Sequence, residues 1–254
     1  HAVTFAGGFA TQGFVPYLAI YSTFLQRGYD QLIHDIALQN LPVVFCIDRA
    51  GIVGSDGATH HGVFDMAYLR AIPNLIIAVP TDEIMLRQLL YTAQFTTQPM
   101  AIRYPRGRGI HKVWQVPFEK MSIGKGIQRS KGKKVAVLTV GPFGNTIQNI
   151  LRRNPEWEVA HYDMIFVKPL DENMLTEILT QFDSIITLED GTISGGFGSA
   201  VLEFAQQKGF THNRIEVLGI PDQFIEHAPI AEIFEALHLD EKGIEDRIRQ
   251  KVKE

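Results

Sequence analysis

At 254 residues, 45% of them hydrophobic, the chain is long enough for one large core or two ordinary ones. A formal net charge of -4 gives it no electrostatic reason to seek nucleic acid or an anionic membrane, which argues against both partners. No apolar run approaches the roughly 20 residues that span a bilayer, and the single cysteine, Cys46, cannot form an internal disulfide, which points to a reducing, cytoplasmic compartment.

The chain opens His-Ala-Val-Thr, without methionine and without the pattern of a signal or transit peptide, so a processed, clipped or partial chain is expected. A helix is predicted over Ala2–Thr11 and a strand over Val15–Ile20. Next comes a helix over Phe24–Gln39, whose Leu25, Leu32, Ile33 and Ile36 recur at helical spacing and should face a sheet. Strands follow at Val43–Ile47, with Cys46 read as a small buried hydrophobe, and at Leu75–Val79. Pro80 ends the latter, Thr81 is the expected N-cap of a helix over Asp82–Phe95, and a fourth strand covers Ala101–Tyr104. Residues Gly107–Lys134 lack periodicity and read as an interdomain linker.

A second alternating block then begins. Strands are predicted at Lys134–Val140, Glu158–Tyr162, Ser184–Leu188 and Arg214–Leu218. Helices are predicted at Thr146–Arg153, Glu172–Gln181, Phe197–Gln207 and Ala231–Leu237, with a charged, solvated helix ending near Lys253. The class is therefore α/β: two α/β domains with mainly parallel sheets, residues 1–118 and 119–254. The glycine-rich run Ser194–Ala200 lacks G-x-G-x-x-G and lies late in its domain, so it reads as a tight helix start rather than a dinucleotide site.

Open parallel sheets bind ligands beyond the carboxyl ends of their strands. The loop leaving Val43–Ile47 there carries Asp48, Arg49, Asp56, His60 and His61, spaced by Gly51, Gly54 and Gly57. It exceeds the ~2–6 residues usual for such connections, and long polar loops in compact domains are commonly functional. A plain surface pair of Arg49 with Asp48 is one reading, and structural or metal-ligating histidines are another. Adjacent histidines point apart, however, and no further ligands stand at metal spacing. An anion clamp with acid/base groups suits the set better. Tyr21, Phe24 and Arg27 follow the preceding strand, and Arg106 follows the fourth. Arg49 and Arg106 can thus converge on a phosphate from neighbouring strand ends.

Together HAVTFAGGFA, AIYSTFLQRGYDQ, IDRAGIVGSDGATHHGVFD and RYPRG, with FVKPLDE, LEDGTISGGFGSAV and LGIPDQFIEH in the second block, resemble the thiamine diphosphate enzymes of the transketolase superfamily. Within it they resemble the 1-deoxy-D-xylulose-5-phosphate synthases over essentially the whole chain. The resemblance implies a pyrimidine-binding domain followed by a transketolase C-terminal domain. It also implies condensation of pyruvate with D-glyceraldehyde 3-phosphate, with loss of carbon dioxide. The cofactor supplies the electron sink and the protein supplies orientation and electrostatics.

Carried over by position, Phe24 resembles the aromatic that stacks on the aminopyrimidine ring, while Tyr21 and Arg27 line the site and its cofactor pocket. Arg49 and Arg106 match the arginines that hold the acceptor phosphate. Asp56 and His60 match the polar pair beside the reacting carbon, and His1 aligns with a further substrate position. His61 stands where glutamine is expected and receives no role.

The resemblance also implies a homodimer, an activating glutamate two residues before the position of His1, and an N-terminal diphosphate-binding domain that holds Mg2+ through oxygen ligands. These 254 residues are accordingly expected not to catalyse the reaction alone. Two other readings remain: another member of the superfamily, such as half of a split transketolase or a 2-oxo acid dehydrogenase beta subunit, and a non-catalytic relic of the fold.

Overall fold

The computed structural model describes residues 1–254 and contains two five-stranded sheets. The first half comprises α1 (Ala2–Ala10), β1 (Tyr17–Tyr21), α2 (Ser22–Leu25), α3 (Tyr29–Gln31), β2 (Val44–Asp48), α4 (Asp65–Arg70), β3 (Ile76–Ala78), α5 (Glu83–Ala93) and β4 (Met100–Arg103). The second comprises β5 (Ile127–Ser130), β6 (Val135–Thr139), α6 (Phe143–Arg153), β7 (Val159–Asp163), β8 (Phe166–Lys168), α7 (Glu172–Gln181), β9 (Ser184–Thr192), α8 (Phe197–Gln207), β10 (Arg214–Ile220), α9 (Ile230–Ala236) and α10 (Glu241–Lys253). The first sheet has the order β1-β2-β4-β3-β8 and the second β10-β9-β6-β7-β5. Only the β3–β8 and β5–β7 pairings are antiparallel. Central strands such as β6 and β9 are buried along their whole length, as a sheet with both faces covered requires.

Four expectations are corrected. The helix predicted over Phe24–Gln39 is not continuous: α2 gives way to a 3-10 turn at Gln26–Gly28, then α3, then a π-helical stretch at Leu32–Ala37. Gly28 lies against α1, where a Cβ would meet the Val3 side chain at 3.0 Å. The widened π turn keeps Leu32 and Ile36 fully buried despite that tightening. The N-cap of α5 is Asp82, whose carboxylate accepts from Met85 N at 2.8 Å, not Thr81. Thr81 instead bonds the buried Asp163 of β7 across the two halves. The stretch read as linker is irregular only to its last residues, where Ile127–Ser130 pairs with Val159–Asp163 as an edge strand.

The fourth correction concerns the sheets themselves. Phe166–Lys168, from the second half of the sequence, pairs with β3 and completes the first sheet. Lys168 Nζ donates to Arg70 O at 3.0 Å, and Val79 N donates to Ile165 O at 2.7 Å. One contiguous apolar core accordingly includes Phe45, Ile77 and Val79 together with Ala136, Leu138 and Phe197. The unanticipated short helix α4 starts at Asp65, whose side chain is completely buried.

Candidate active site

Strands β1, β2 and β4 are consecutive in the first sheet, so their carboxyl ends lie side by side. Tyr21 ends β1 in register with Asp48, which ends β2. The backbone then turns into α2, placing Phe24 one turn on. The Tyr21 and Phe24 rings stack with centroids 5.0 Å apart and planes 10° from parallel. His60, reaching over from the loop, meets Phe24 edge-on at 5.7 Å. The Arg49 guanidinium covers the Tyr21 ring at 3.8 Å while Nη1 pairs with Asp48 Oδ2 at 2.9 Å. Tyr21, Phe24, Arg49 and His60 therefore form one cluster, with Phe24 48% exposed.

Arg106 pairs with Asp56 at 3.0 Å, so the strand end after β4 meets the tip of the loop. Both arginines expected to hold phosphate are thus paired with aspartates. The plain pairing of Arg49 with Asp48 does form, and it coexists with the stacking on Tyr21. Asp48 Oδ1 is buried and accepts no hydrogen bond, leaving one acceptor in the site unused. Arg27 lies in the 3-10 turn beyond Phe24, exposed, with no ion pair or hydrogen bond to the cluster. His1 caps α1 at the surface and stacks only on Phe5, at 6.0 Å, so the fold does not bring it to the cluster.

The loop's shape follows from its glycines. Gly51, Gly54 and Gly57 have φ of +77°, +78° and +76°, a region side chains rarely adopt. Arg49 itself is held at φ 51°, a left-handed conformation that is costly for a long side chain and turns the chain sharply at the strand end. The two histidines do point apart. His60 Nδ1 contacts Thr59 Oγ1 at 2.9 Å, which leaves Nε2 for a ligand. Thr59 O in turn accepts from Thr23 on α2 at 2.9 Å. His61 is buried, its Nδ1 accepts from Val53 N at 3.2 Å, and burial lowers its pKa below the ordinary histidine range despite nearby backbone carbonyls of Glu226 and Ile225.

Several contributors escaped the sequence reading. Arg103, inside β4, is buried between Asp65 and Asp190, and His227 packs on Gly57. An arginine in the apolar run Met-Ala-Ile-Arg was itself the available signal, since a buried charge needs a partner. Glu189, also buried, accepts from Phe197 N and Gly198 N at 2.8 Å each and holds the start of α8. That is the physical role of the Ser194–Ala200 run. Burial pushes the Glu189 carboxyl up to about 7 against those two bonds. No three His, Cys, Asp or Glu side chains are grouped so as to hold a metal ion, and no helix is long and apolar enough to cross a membrane.

Residues 1–109 match the family described as transketolase, pyrimidine binding domain, and residues 124–244 match transketolase, C-terminal domain. A 1-deoxy-D-xylulose-5-phosphate synthase of Bacteroides thetaiotaomicron is 51% identical over 248 residues, covering 96% of this chain and 38% of the relative. One from Cytophaga hutchinsonii is 50% identical over 253 residues, covering 98% and 40%. The chain thus spans about two fifths of the length of these curated relatives. Among solved structures, a split-gene transketolase described as an inactive beta4 tetramer superposes with a TM-score of 0.86 at 24% identity, over 98% of this chain and 80% of the other. A transketolase from Campylobacter jejuni gives a TM-score of 0.74 at 17% identity, over 98% and 38%. These two structural likenesses bear on the fold alone.

Proposed function

The chain belongs to the transketolase family, and from that membership we propose that it forms the substrate side of a thiamine diphosphate-dependent 1-deoxy-D-xylulose-5-phosphate synthase. In this reading the enzyme joins pyruvate to D-glyceraldehyde 3-phosphate, releases carbon dioxide and yields 1-deoxy-D-xylulose 5-phosphate, a precursor for isoprenoid and thiamine biosynthesis. The observation that carries the reading is identity near 50% across 96% of the chain.

The residues present fit one part of the cofactor. A half-exposed Phe24, backed by Tyr21, offers a flat aromatic face to the aminopyrimidine ring. Arg27, exposed one turn beyond Phe24, is assigned to the edge of that cofactor pocket by the family resemblance alone. They do not fit the diphosphate and its Mg2+, for which this chain groups no carboxylate ligands. That role falls to an N-terminal diphosphate-binding domain of the same protein. When bound, thiamine diphosphate supplies the electron sink that lets pyruvate lose carbon dioxide.

This chain's own residues bind, orient and move a proton. Arg49 and Arg106 hold the acceptor phosphate by charge-assisted bonds, each exchanging part of its aspartate contact for phosphate oxygen. His60 presents Nε2 to the acceptor's carbonyl oxygen and delivers a proton as the carbon–carbon bond forms. Asp56, on the loop and paired with Arg106, orients the acceptor hydroxyl. His1 is a substrate residue only if a neighbouring element carries the acceptor toward α1. A homodimer is the proposed assembly, supported by the exposed row Phe5, Phe9 and Phe14 on and after α1, and the lone thiol of Cys46 suits the cytoplasm.

The test is turnover of pyruvate with D-glyceraldehyde 3-phosphate by a protein carrying this chain. Activity with ketose phosphate donors instead would replace the reading with a transketolase. Co-purification of an alpha subunit would replace it with a 2-oxo acid dehydrogenase. Absence of thiamine diphosphate binding by calorimetry would point to a relic.

A further inference from the structure

The substrate loop is closed at its neck by two backbone bonds, Gly51 N to Gly62 O and Gly62 N to Gly51 O, both 2.8 Å. Arg103, three residues before Arg106 and 1% exposed, grips that neck. Its Nε donates to both oxygens of Asp65 at 3.0 Å, Nη2 donates to Gly62 O at 3.2 Å, and Nη1 pairs with Asp190. Asp190 comes from β9 of the second sheet. Its carboxylate lies so close to Gly51 that a methyl group there would overlap it.

The second half of the chain touches the loop at further points. Thr192 N donates to Val63 O at 2.8 Å. Ala228 and Ile230 pack on Gly54, and His227 packs on Gly57, where added methyl groups would press on them. None of these residues binds substrate in the function proposed above, yet together they fix the loop that carries Asp56 and His60.

A buried set of one arginine and two aspartates is poor evidence of stabilisation, because an apolar set of the same volume would do as well or better. Its distinctive product is geometry. A guanidinium fork with three fixed acceptors has one orientation, and here those acceptors belong to α4, the loop neck and the other sheet. Catalytic constellations lose efficiency with displacements of about 1 Å, so a loop fixed from both sides is a consequential feature.

We propose that Asp190 is a positioning residue: through Arg103 and Gly51 it makes the geometry of the acceptor-binding loop depend on docking of the second domain. The part of the proposal that concerns the acceptor rests on the function assigned above. Movement of the loop itself does not.

The experiment compares wild type with Asp190→Asn and Arg103→Lys in the complete enzyme. Asp190→Asn keeps the volume and one acceptor oxygen but loses the charge; Arg103→Lys keeps the charge but loses the fork. Backbone hydrogen exchange should accelerate at least about tenfold in residues 52–61 while α5 stays protected. KM for D-glyceraldehyde 3-phosphate should rise at least roughly fivefold, with KM for pyruvate within about twofold. Unchanged loop exchange, acceleration spread evenly over the domain, or equal changes in both KM values would overturn the proposal. If either buried variant fails to fold, Asp190→Ser, smaller than aspartate but keeping one oxygen acceptor toward Arg103, is read in the same way, and the same pattern or its absence decides. A wild type with no acceptor-dependent turnover would sink the functional reading, and the exchange pattern alone would then settle the coupling.

Discussion

Replacing Arg106 by alanine separates a structural arginine from a phosphate-binding one. The Arg106 side chain is 55% exposed and that of its partner Asp56 40%, with 3.0 Å between the paired atoms. A pair this exposed contributes about 0–1 kcal/mol to folding after solvent screening. For a chain of this size that corresponds to a Tm change of at most about 4 °C. A charge-assisted bond to a phosphate oxygen is worth roughly 1.5–3 kcal/mol. At about 1.4 kcal/mol per factor of ten, Arg106→Ala should raise KM for D-glyceraldehyde 3-phosphate roughly 10- to 150-fold.

Pyruvate carries no phosphate, so its KM should move less than about twofold. Asp56→Asn supplies the complementary case. It releases Arg106 from its partner, so acceptor KM should hold or fall while kcat falls. Steady-state kinetics with each substrate varied, alongside thermal melts, reads all of these quantities. Equal changes in both KM values, or a large loss of Tm with acceptor KM intact, would refute the phosphate assignment.

Phe24→Ala should leave Tm nearly unchanged, because half the ring is already exposed, and weaken thiamine diphosphate binding by roughly 2- to 10-fold in calorimetry, the value of one aromatic stack. Unaltered affinity would remove Phe24 from the cofactor pocket. Glu189 predicts a pH effect on stability. Its folded value of about 7 lies above the ordinary 4.5, so the folded state holds the proton more tightly. The resulting contribution is complete below about pH 4.5 and is lost as pH rises to 7, by roughly 3 kcal/mol at 1.36 kcal/mol per unit. Denaturant melts of wild type and Glu189→Gln between pH 5 and 8 should show this slope only in wild type, and identical slopes would refute it. Phe5→Lys with Phe9→Lys should shift sedimentation from dimer to monomer without unfolding α1, since both rings already face solvent; a wild type that sediments as a monomer would remove the dimer reading.

Much of the fold was legible because its cause is local. Alternation of apolar strands with amphipathic helices follows from backbone geometry, so β2, α5, β4, β6, α7, α8 and β10 fall close to their predicted spans. The loop from Asp48 to Gly62 was legible for a similar reason: its glycines, charges and length sit at a strand's carboxyl end. Its motifs also pointed to the family in which the chain belongs.

Other features were not local. The break after Leu25 falls where α1 packs against Gly28, and no spacing rule within the helix reports that neighbour. Asp82 displaced Thr81 as cap because the Thr81 hydroxyl had a better partner in Asp163, 82 positions away. Strand β8 joined the first sheet because edge hydrogen bonds are satisfied by whichever extended segment docks there, irrespective of sequence distance. The same holds for the site. Residue types nominated Arg49, Asp56, His60 and Arg106, but only tertiary packing paired Arg106 with Asp56, stacked Tyr21 between Arg49 and Phe24, and set Arg103 between Asp65 and Asp190. A sequence specifies the donors and acceptors a segment carries; which of them meet is decided by the folding of distant segments into contact.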